Sequence, residues 1–228
     1  MKYSAVLIGV FALLIAVAVI VSGGDDPETV VATPVEATSP TGAATEEVAE
    51  VTAVRAKDAR RLGPKGDSGV TFTEFLDFEC EACLAAFPLV EEVREEYAGQ
   101  VTFNVRYFPI ASHGNAENAA IAVEASAQQG EFEAMYKKMY ETQTEWSEQQ
   151  VSKADLFREY ADELGLDMEE YDKAVADPAT LERIQEDVNA GRELGVQGTP
   201  TFFIDEALFE PQSPDDFKAG IEEALASK

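Results

Sequence analysis

The two cysteines of this 228-residue chain are Cys80 and Cys83, separated by Glu81 and Ala82. Two thiols at this spacing can close a disulfide within one helical turn and open it again, which is the chemistry of thiol–disulfide exchange. The residues after Cys80 favour a helix, so Cys80 is predicted at its N-terminus, where free backbone N–H groups and the helix dipole stabilise a thiolate. We therefore expect Cys80 to be the exposed, reactive sulfur. Cys83, one turn further, should be buried and should resolve the mixed disulfide.

A C-x-x-C pair can also be half of a zinc site or a purely structural crosslink. A four-ligand zinc site would need a second chain, because the sequence has no other cysteine and His113 is its one histidine. A disulfide that closes so short a loop removes little entropy from the unfolded chain. Both alternatives stay open, but the expectation is no metal and no cofactor beyond a redox-active disulfide.

Two glutamates, Glu79 and Glu81, flank Cys80. A negative charge beside a thiol disfavours its thiolate form and opposes the effect of the helix dipole. The flanking charges therefore predict a Cys80 that is less acidic than an equivalent thiol with histidine between the cysteines.

A strand is predicted directly before the cysteines, over Val70–Asp77, because residues that share one face of it are apolar. Glu74 falls on that face together with Val70, Phe72 and Leu76. Desolvation there would raise the pKa of Glu74 above its usual value of about 4.3. The alternative is a carboxylate at the strand edge whose head group reaches solvent.

The remaining periodicity predicts an α/β fold built in two halves. The helix after Cys80 continues past Pro88 to about Tyr97, and Gln100–Phe108 is the next strand. This order makes a βαβ unit with parallel strands. A helical insertion follows at about 111–194, with helices predicted at Asn115–Gln129, Glu131–Gln143, Lys153–Leu164, Met168–Ala176 and Pro178–Leu194. The second half is ββα, with strands at Thr201–Asp205 and Ala207–Phe209 and a helix at Pro214–Ala226.

The N-terminal quarter of the sequence differs from the rest in composition. Tyr3–Gly24 is uncharged and mostly apolar, which is long enough for a membrane span of about 20 residues, and Lys2 would keep the N-terminus cytoplasmic. We predict a transmembrane anchor at 1–24, with a cleaved signal peptide as the alternative. Residues 25–58 contain no aromatic side chain and are predicted to be a disordered acidic tether, which leaves a folded domain at 59–228.

The chain carries 44 acidic and 17 basic residues, for a net charge of −27. A surface of this sign repels phosphate groups, so nucleic acid is excluded as an expected partner.

Several short motifs in a fixed order make the chain resemble the DsbA-like family of exported thiol:disulfide oxidoreductases, part of the thioredoxin superfamily. The resemblance runs from about Arg60 onward and implies a thioredoxin fold with a helical insertion. The motifs that carry it are Arg61-Leu62-Gly63, Phe78-Glu79-Cys80-Glu81-Ala82-Cys83, Phe108-Pro109, His113-Gly114-Asn115-Ala116 and Gly198-Thr199-Pro200-Thr201.

The resemblance also implies roles for individual residues. Pro200 takes the position of a cis-proline beside the two thiols, Thr199 offers its backbone to a substrate peptide, and Phe78 joins them in substrate binding. Glu74, six residues before Cys80, takes the position of a buried acid that accepts the proton of Cys83. The dipeptide between the cysteines, Glu81-Ala82, differs from the Pro-His of strongly oxidising relatives, so the resemblance does not determine the reduction potential.

By this resemblance the protein is an enzyme that donates a disulfide to unfolded exported proteins bearing cysteines, and a membrane quinone-linked partner re-oxidises it. The expected location is the cell membrane, with a single span and the catalytic domain outside the cytoplasm. A reductase or isomerase is one alternative, although isomerases of the superfamily carry a folded dimerisation domain that the tether does not offer, so a monomer is expected. A tethered peptide-binding module without exchange chemistry is the other.

Overall fold

A computed structural model of the protein describes residues 59–228. The predicted anchor at 1–24 and tether at 25–58 lie outside the described residues. Within 59–228, every helix is too short or too polar to cross a membrane. The strands are β1 (Arg60–Leu62), β2 (Thr71–Leu76), β3 (Thr102–Tyr107), β4 (Thr201–Ile204) and β5 (Ala207–Phe209). The helices are α1 (Glu81–Glu96), α2 (Ala116–Gln128), α3 (Phe132–Trp146), α4 (Ala154–Glu163), α5 (Met168–Ala176), α6 (Pro178–Glu193) and α7 (Pro214–Ala226).

The strands form one sheet in the order β1-β3-β2-β4-β5. β2 and β3 are parallel and α1 connects them, so the predicted βαβ unit is confirmed. β4 runs antiparallel to β2, with Phe202 opposite Glu74, and β5 pairs with β4 at the sheet edge. The central strand β2 therefore leads into the start of α1, and β4, which begins after Pro200, lies beside it.

The residues of β2 are buried on both faces of the sheet, because helices cover both. Phe72 and Leu76 belong to the larger hydrophobic cluster, which also contains Cys83 of α1. Phe75 points to the opposite face, into a smaller cluster that contains Val188 of α6. Glu74 has the parity of Phe72 and Leu76, so it lies on the same side of the sheet as Cys83.

The helical insertion consists of α2 to α6 and separates β3 from β4. The predicted α/β fold class, a βαβ half and a ββα half divided by this insertion, is confirmed. Two ion pairs fasten the insertion to the sheet: Arg106 of β3 donates from Nε to Asp187 of α6 at 2.6 Å, and Arg60 of β1 donates from Nε to Glu124 of α2 at 2.7 Å. Arg60 is half-buried and the other three side chains are buried, where their charges are tolerated because each has a partner.

β1 is the element that the sequence did not predict. Its three residues, Arg60–Leu62, pair antiparallel with Val105, Asn104 and Phe103 of β3. A segment this short shows no alternation of its own. It is extended because β3 supplies the ladder of hydrogen bonds and Glu124 supplies the partner for Arg60.

Candidate active site

Cys80 is the N-cap residue of α1, and Cys83 lies in the first turn of that helix. Both cysteines are free thiols. Cys80 is half-buried and Cys83 is fully buried, so the predicted difference in exposure is confirmed. The helix continues through Pro88 to Glu96, also as predicted.

The thiol of Cys80 contacts the loop before β4. Its Sγ donates a hydrogen bond to the carbonyl oxygen of Thr199 at 3.3 Å, and the Thr199–Pro200 peptide bond is cis. The structure therefore brings the C-x-x-C turn and the distant Thr199-Pro200 pair together, as the resemblance implied.

The two thiols have opposite electrostatic environments. The pKa of Cys80 is lowered to about 5, chiefly because the Cys83 thiol hydrogen-bonds its sulfur, with help from the backbone N–H groups of Cys83 and Ala82, while burial acts in the opposite direction. The pKa of Cys83 is raised, because burial disfavours its thiolate and because Cys80 and the Glu74 carboxylate add to that effect. One sulfur is thus held ready to ionise while the other is held protonated.

Glu74 is buried on the face predicted for it, with 2% of its surface exposed. Burial, together with the smaller effect of the negative charges of Cys80 and Glu91, raises its pKa to about 8. Neither carboxylate oxygen has a hydrogen-bond partner among the described residues. The alternative of an edge carboxylate that reaches solvent is therefore wrong.

The turn between β2 and α1 is fixed by the buried carboxylate of Asp77. Its Oδ1 accepts from the backbone N–H of Glu79 at 2.8 Å, and its Oδ2 accepts from the N–H of Ile110 at 2.9 Å. Oδ2 also lies 2.6 Å from Nδ1 of His113. Burial raises the pKa of Asp77, while these hydrogen bonds act in the opposite direction. His113 thus braces the loop after β3 against the active-site turn.

The helical insertion contributes further contacts to this turn. Gln143 of α3 is buried and donates from Nε2 to the carbonyl oxygens of Phe78 at 2.8 Å and Cys80 at 3.0 Å. The carboxylate of Glu79 accepts from the backbone N–H groups of Asn115 and Glu148. Sequence reasoning missed Gln143, because one glutamine within a helix gives no signal of a partner 63 residues away.

Phe78 does not line a binding surface. Its side chain is 1% exposed, and its ring packs against Tyr107, Tyr136 and Tyr140. The prediction that it binds substrate is corrected: residue 78 lies in the turn after β2, and this turn directs the ring into the core.

Two open cavities adjoin the thiol and the cis-proline. One, of about 430 Å³, has Cys80, Ala82 and His113 among its lining residues. The other, of about 720 Å³, runs along Thr199, Pro200 and the strand pair β4–β5. Among residues 59–228, no group of three or more His, Cys, Asp or Glu side chains is arranged to hold a metal ion.

Comparison with known proteins adds a family and several relatives. A family model described as "Thioredoxin" matches residues 58–223. The Na(+)/H(+) antiporter NhaA 3 of Salinispora tropica is 36% identical over 167 residues, which are 72% of this chain and 24% of the antiporter. The chain spans about a quarter of the length of the curated relatives it matches.

Solved structures share the fold over most of the described residues. A thioredoxin-like oxidoreductase from Silicibacter pomeroyi is 26% identical, with a TM-score of 0.64 over 76% of this chain and 96% of that one. BdbD from Bacillus subtilis, in its oxidised form, is 22% identical, with a TM-score of 0.65 over 75% of this chain and 94% of that one.

Proposed function

Because the chain belongs to the thioredoxin family, we propose that it is a thiol:disulfide oxidoreductase that donates the Cys80–Cys83 disulfide to proteins bearing cysteines. The observation that carries the proposal is the contrast between the two thiols. Cys80 is half-exposed with a pKa lowered to about 5, whereas Cys83 is buried with a raised pKa. Such a pair has one sulfur that substrates can reach and one that completes the reaction from inside.

The proposed reaction has two exchange steps. In the oxidised enzyme, a substrate thiolate attacks Sγ of Cys80, the Cys80–Cys83 bond breaks, and Cys83 leaves with the electron pair and takes up a proton. A second substrate thiolate then attacks the substrate sulfur of the mixed disulfide, and Cys80 leaves as a thiolate. The substrate has lost two electrons and gained a disulfide, and the enzyme holds those electrons as a thiol and a thiolate.

The lowered pKa of Cys80 favours the donating direction. Stabilising its thiolate stabilises the reduced enzyme, which makes the disulfide easier to reduce and therefore a stronger oxidant. A thiol pKa of about 5 lies between the values of about 7 for thioredoxin and about 3.5 for DsbA. We infer a reduction potential between those of the two proteins, roughly −270 and −120 mV.

Glu74 is the proposed proton partner of Cys83. A carboxyl group with a pKa of about 8 is still largely protonated at neutral pH, so it can give a proton to the leaving Cys83 thiolate and take it back in the reverse step. Thr199 and Pro200 are the proposed substrate-binding residues, because their backbone lies against Cys80 in the position where an extended substrate segment would pass.

The setting of the reaction is part of the proposal. The apolar stretch at 1–24 would anchor the protein in the cell membrane, with residues 59–228 outside the cytoplasm as a monomer. Unfolded exported proteins would supply the thiols. A membrane partner linked to quinones would accept the two electrons from the reduced enzyme and restore its disulfide.

The test is disulfide transfer from the oxidised full-length protein to a reduced peptide with two cysteines. We expect one peptide disulfide per enzyme, a potential within the stated range in glutathione buffers, and no transfer by Cys80→Ser. A potential at or below that of thioredoxin would identify a reductase instead. Peptide binding without transfer would identify a binding module and contradict the proposal.

A further inference from the structure

Glu79 immediately precedes Cys80, yet its carboxylate is bound by the backbone of the helical insertion. Oε2 accepts from the N–H of Asn115 at 2.5 Å, and Oε1 accepts from the N–H of Glu148 at 3.0 Å. The side chain is 3% exposed. One carboxylate thus joins the active-site turn to two segments that lie 36 and 69 residues further along the chain.

Both hydrogen bonds to the Glu79 carboxylate are of a strong type. Asn115 is the N-cap residue of α2, so the carboxylate faces the positive end of a helix dipole. Hydrogen bonds to an ionised acceptor are shorter and stronger than neutral ones, and they compensate the burial of the charge. The charge of Glu79 therefore interacts with the backbone of the insertion rather than with the neighbouring thiol.

The second hydrogen bond comes from a residue with an unusual backbone conformation. Glu148 has φ +57°, in the left-handed region that residues with a side chain rarely adopt. Such a conformation persists where the surroundings determine it, and the carboxylate of Glu79 is the group that receives the Glu148 N–H. Gln143 also binds this turn, by donating to the carbonyl oxygens of Phe78 and Cys80.

We propose that Glu79 is a positioning residue that holds Cys80 at the N-cap of α1 by tying the active-site turn to the helical insertion. The proposal goes beyond the proposed function in assigning control of the thiol's reactivity to the insertion. The hydrogen bonds that the Cys80 sulfur accepts come from the Cys83 thiol and from the backbone N–H groups of Cys83 and Ala82, so each depends on where the turn places residue 80.

The test measures the rate of Cys80 alkylation as a function of pH in the reduced full-length protein. This rate follows the ionisation of the thiol directly and does not depend on catalytic turnover. Glu79→Gln keeps the size of the side chain, but its single carbonyl oxygen can serve one N–H while its NH₂ group meets the other. We expect the pKa of Cys80 to rise by about one, which is a tenfold loss of thiolate at a given pH below the pKa.

The opposite result separates positioning from simple electrostatics. If Glu79 acted through its charge on the thiolate, removing that charge would lower the pKa of Cys80. A lowered or unchanged pKa overturns the proposal, whatever the melting temperature. The other charged or titratable groups around this turn are unchanged in Glu79→Gln: Glu74 on β2, Asp77 in the turn itself, Glu81 and Cys83 on α1, His113 before α2 and Glu148 after α3.

Two further variants keep the test decisive. Glu81→Gln removes the exposed charge on the other flank of Cys80 without touching the insertion, so it should leave the pKa of Cys80 unchanged or slightly lower. Gln143→Met removes, at similar size, the NH₂ group that donates both hydrogen bonds to the turn, and it should raise the pKa of Cys80 as Glu79→Gln does. If Glu79→Gln does not fold, an unaltered profile in Gln143→Met contradicts the proposal by itself.

Discussion

At the scale of single residues, Glu74 links protonation to stability. Its pKa is about 8 in the folded protein, against 4.5 for a free side chain. Between these pH values the native state holds a proton that the unfolded chain has lost, so the free energy of unfolding falls as pH rises, by up to about 1.4 kcal/mol per pH unit. In the reduced form, Cys80 acts in the opposite direction. Its pKa is 9.0 for a free side chain and about 5 in the folded protein, so its ionisation adds to the free energy of unfolding as pH rises.

We predict that Glu74→Gln removes the loss of stability between pH 4.5 and 8. The variant and the natural protein should unfold with similar free energies near pH 4 and diverge as pH rises, with the variant more stable at pH 8. Denaturant unfolding of the disulfide form across this range measures the effect, because Cys80 does not titrate in that form. Glu95→Gln, the same change on the exposed side of α1, should behave as the natural protein does. Parallel profiles for Glu74→Gln and the natural protein would contradict the assignment.

At the scale of elements, α6 packs closely enough against the sheet to require a glycine. A Cβ at Gly191 would lie 2.9 Å from the ring of Phe108 and 3.0 Å from that of Phe75. Phe75 and Phe108 are edge-to-face neighbours in the smaller core cluster, so neither ring has room to retreat.

We predict that Gly191→Ala lowers the stability of the protein. Overpacking costs about 1–3 kcal/mol, and the better helix propensity of alanine returns about 1 kcal/mol, so a net loss of up to about 2 kcal/mol is expected. The melting temperature should fall accordingly. Asn189→Ala, on the exposed side of the same helix, is the control and should leave the melting temperature equal or slightly higher. A gain of stability in Gly191→Ala would show that α6 can move away from the sheet.

At the scale of the whole molecule, the net charge of −27 opposes the compact state through self-repulsion. Salt shortens the range of this repulsion, from about 30 Å at 0.01 M to about 8 Å at 0.15 M ionic strength. We predict that the melting temperature at pH 7 rises with sodium chloride across this range. Near pH 4.2, the sequence pI, the same salt series should have little effect. A melting temperature that falls with salt at pH 7 would mean that attractive ion pairs outweigh the repulsion.

The sequence by itself determined the fold class, the bounds of most helices and the pairing of a reactive with a buried thiol. These features depend on local signals: the period of apolar residues, the Cys80–Cys83 spacing and the parity that buries Glu74 on the face of Phe72 and Leu76. Strand parity was sufficient for Glu74 because a side chain on the inner face of a covered sheet has no route to solvent.

Only the tertiary structure decided which groups meet at the turn before Cys80. The sequence indicated that Glu79 repels the thiolate, but in the fold its carboxylate binds Asn115 and Glu148, which no local pattern relates to residue 79. Gln143 and β1 were missed for the same reason, and Phe78 was misassigned because its neighbours in sequence are at the site while its ring is in the core. A side chain's direction and partner follow from contacts between distant segments, and those exist only once the insertion has packed against the sheet.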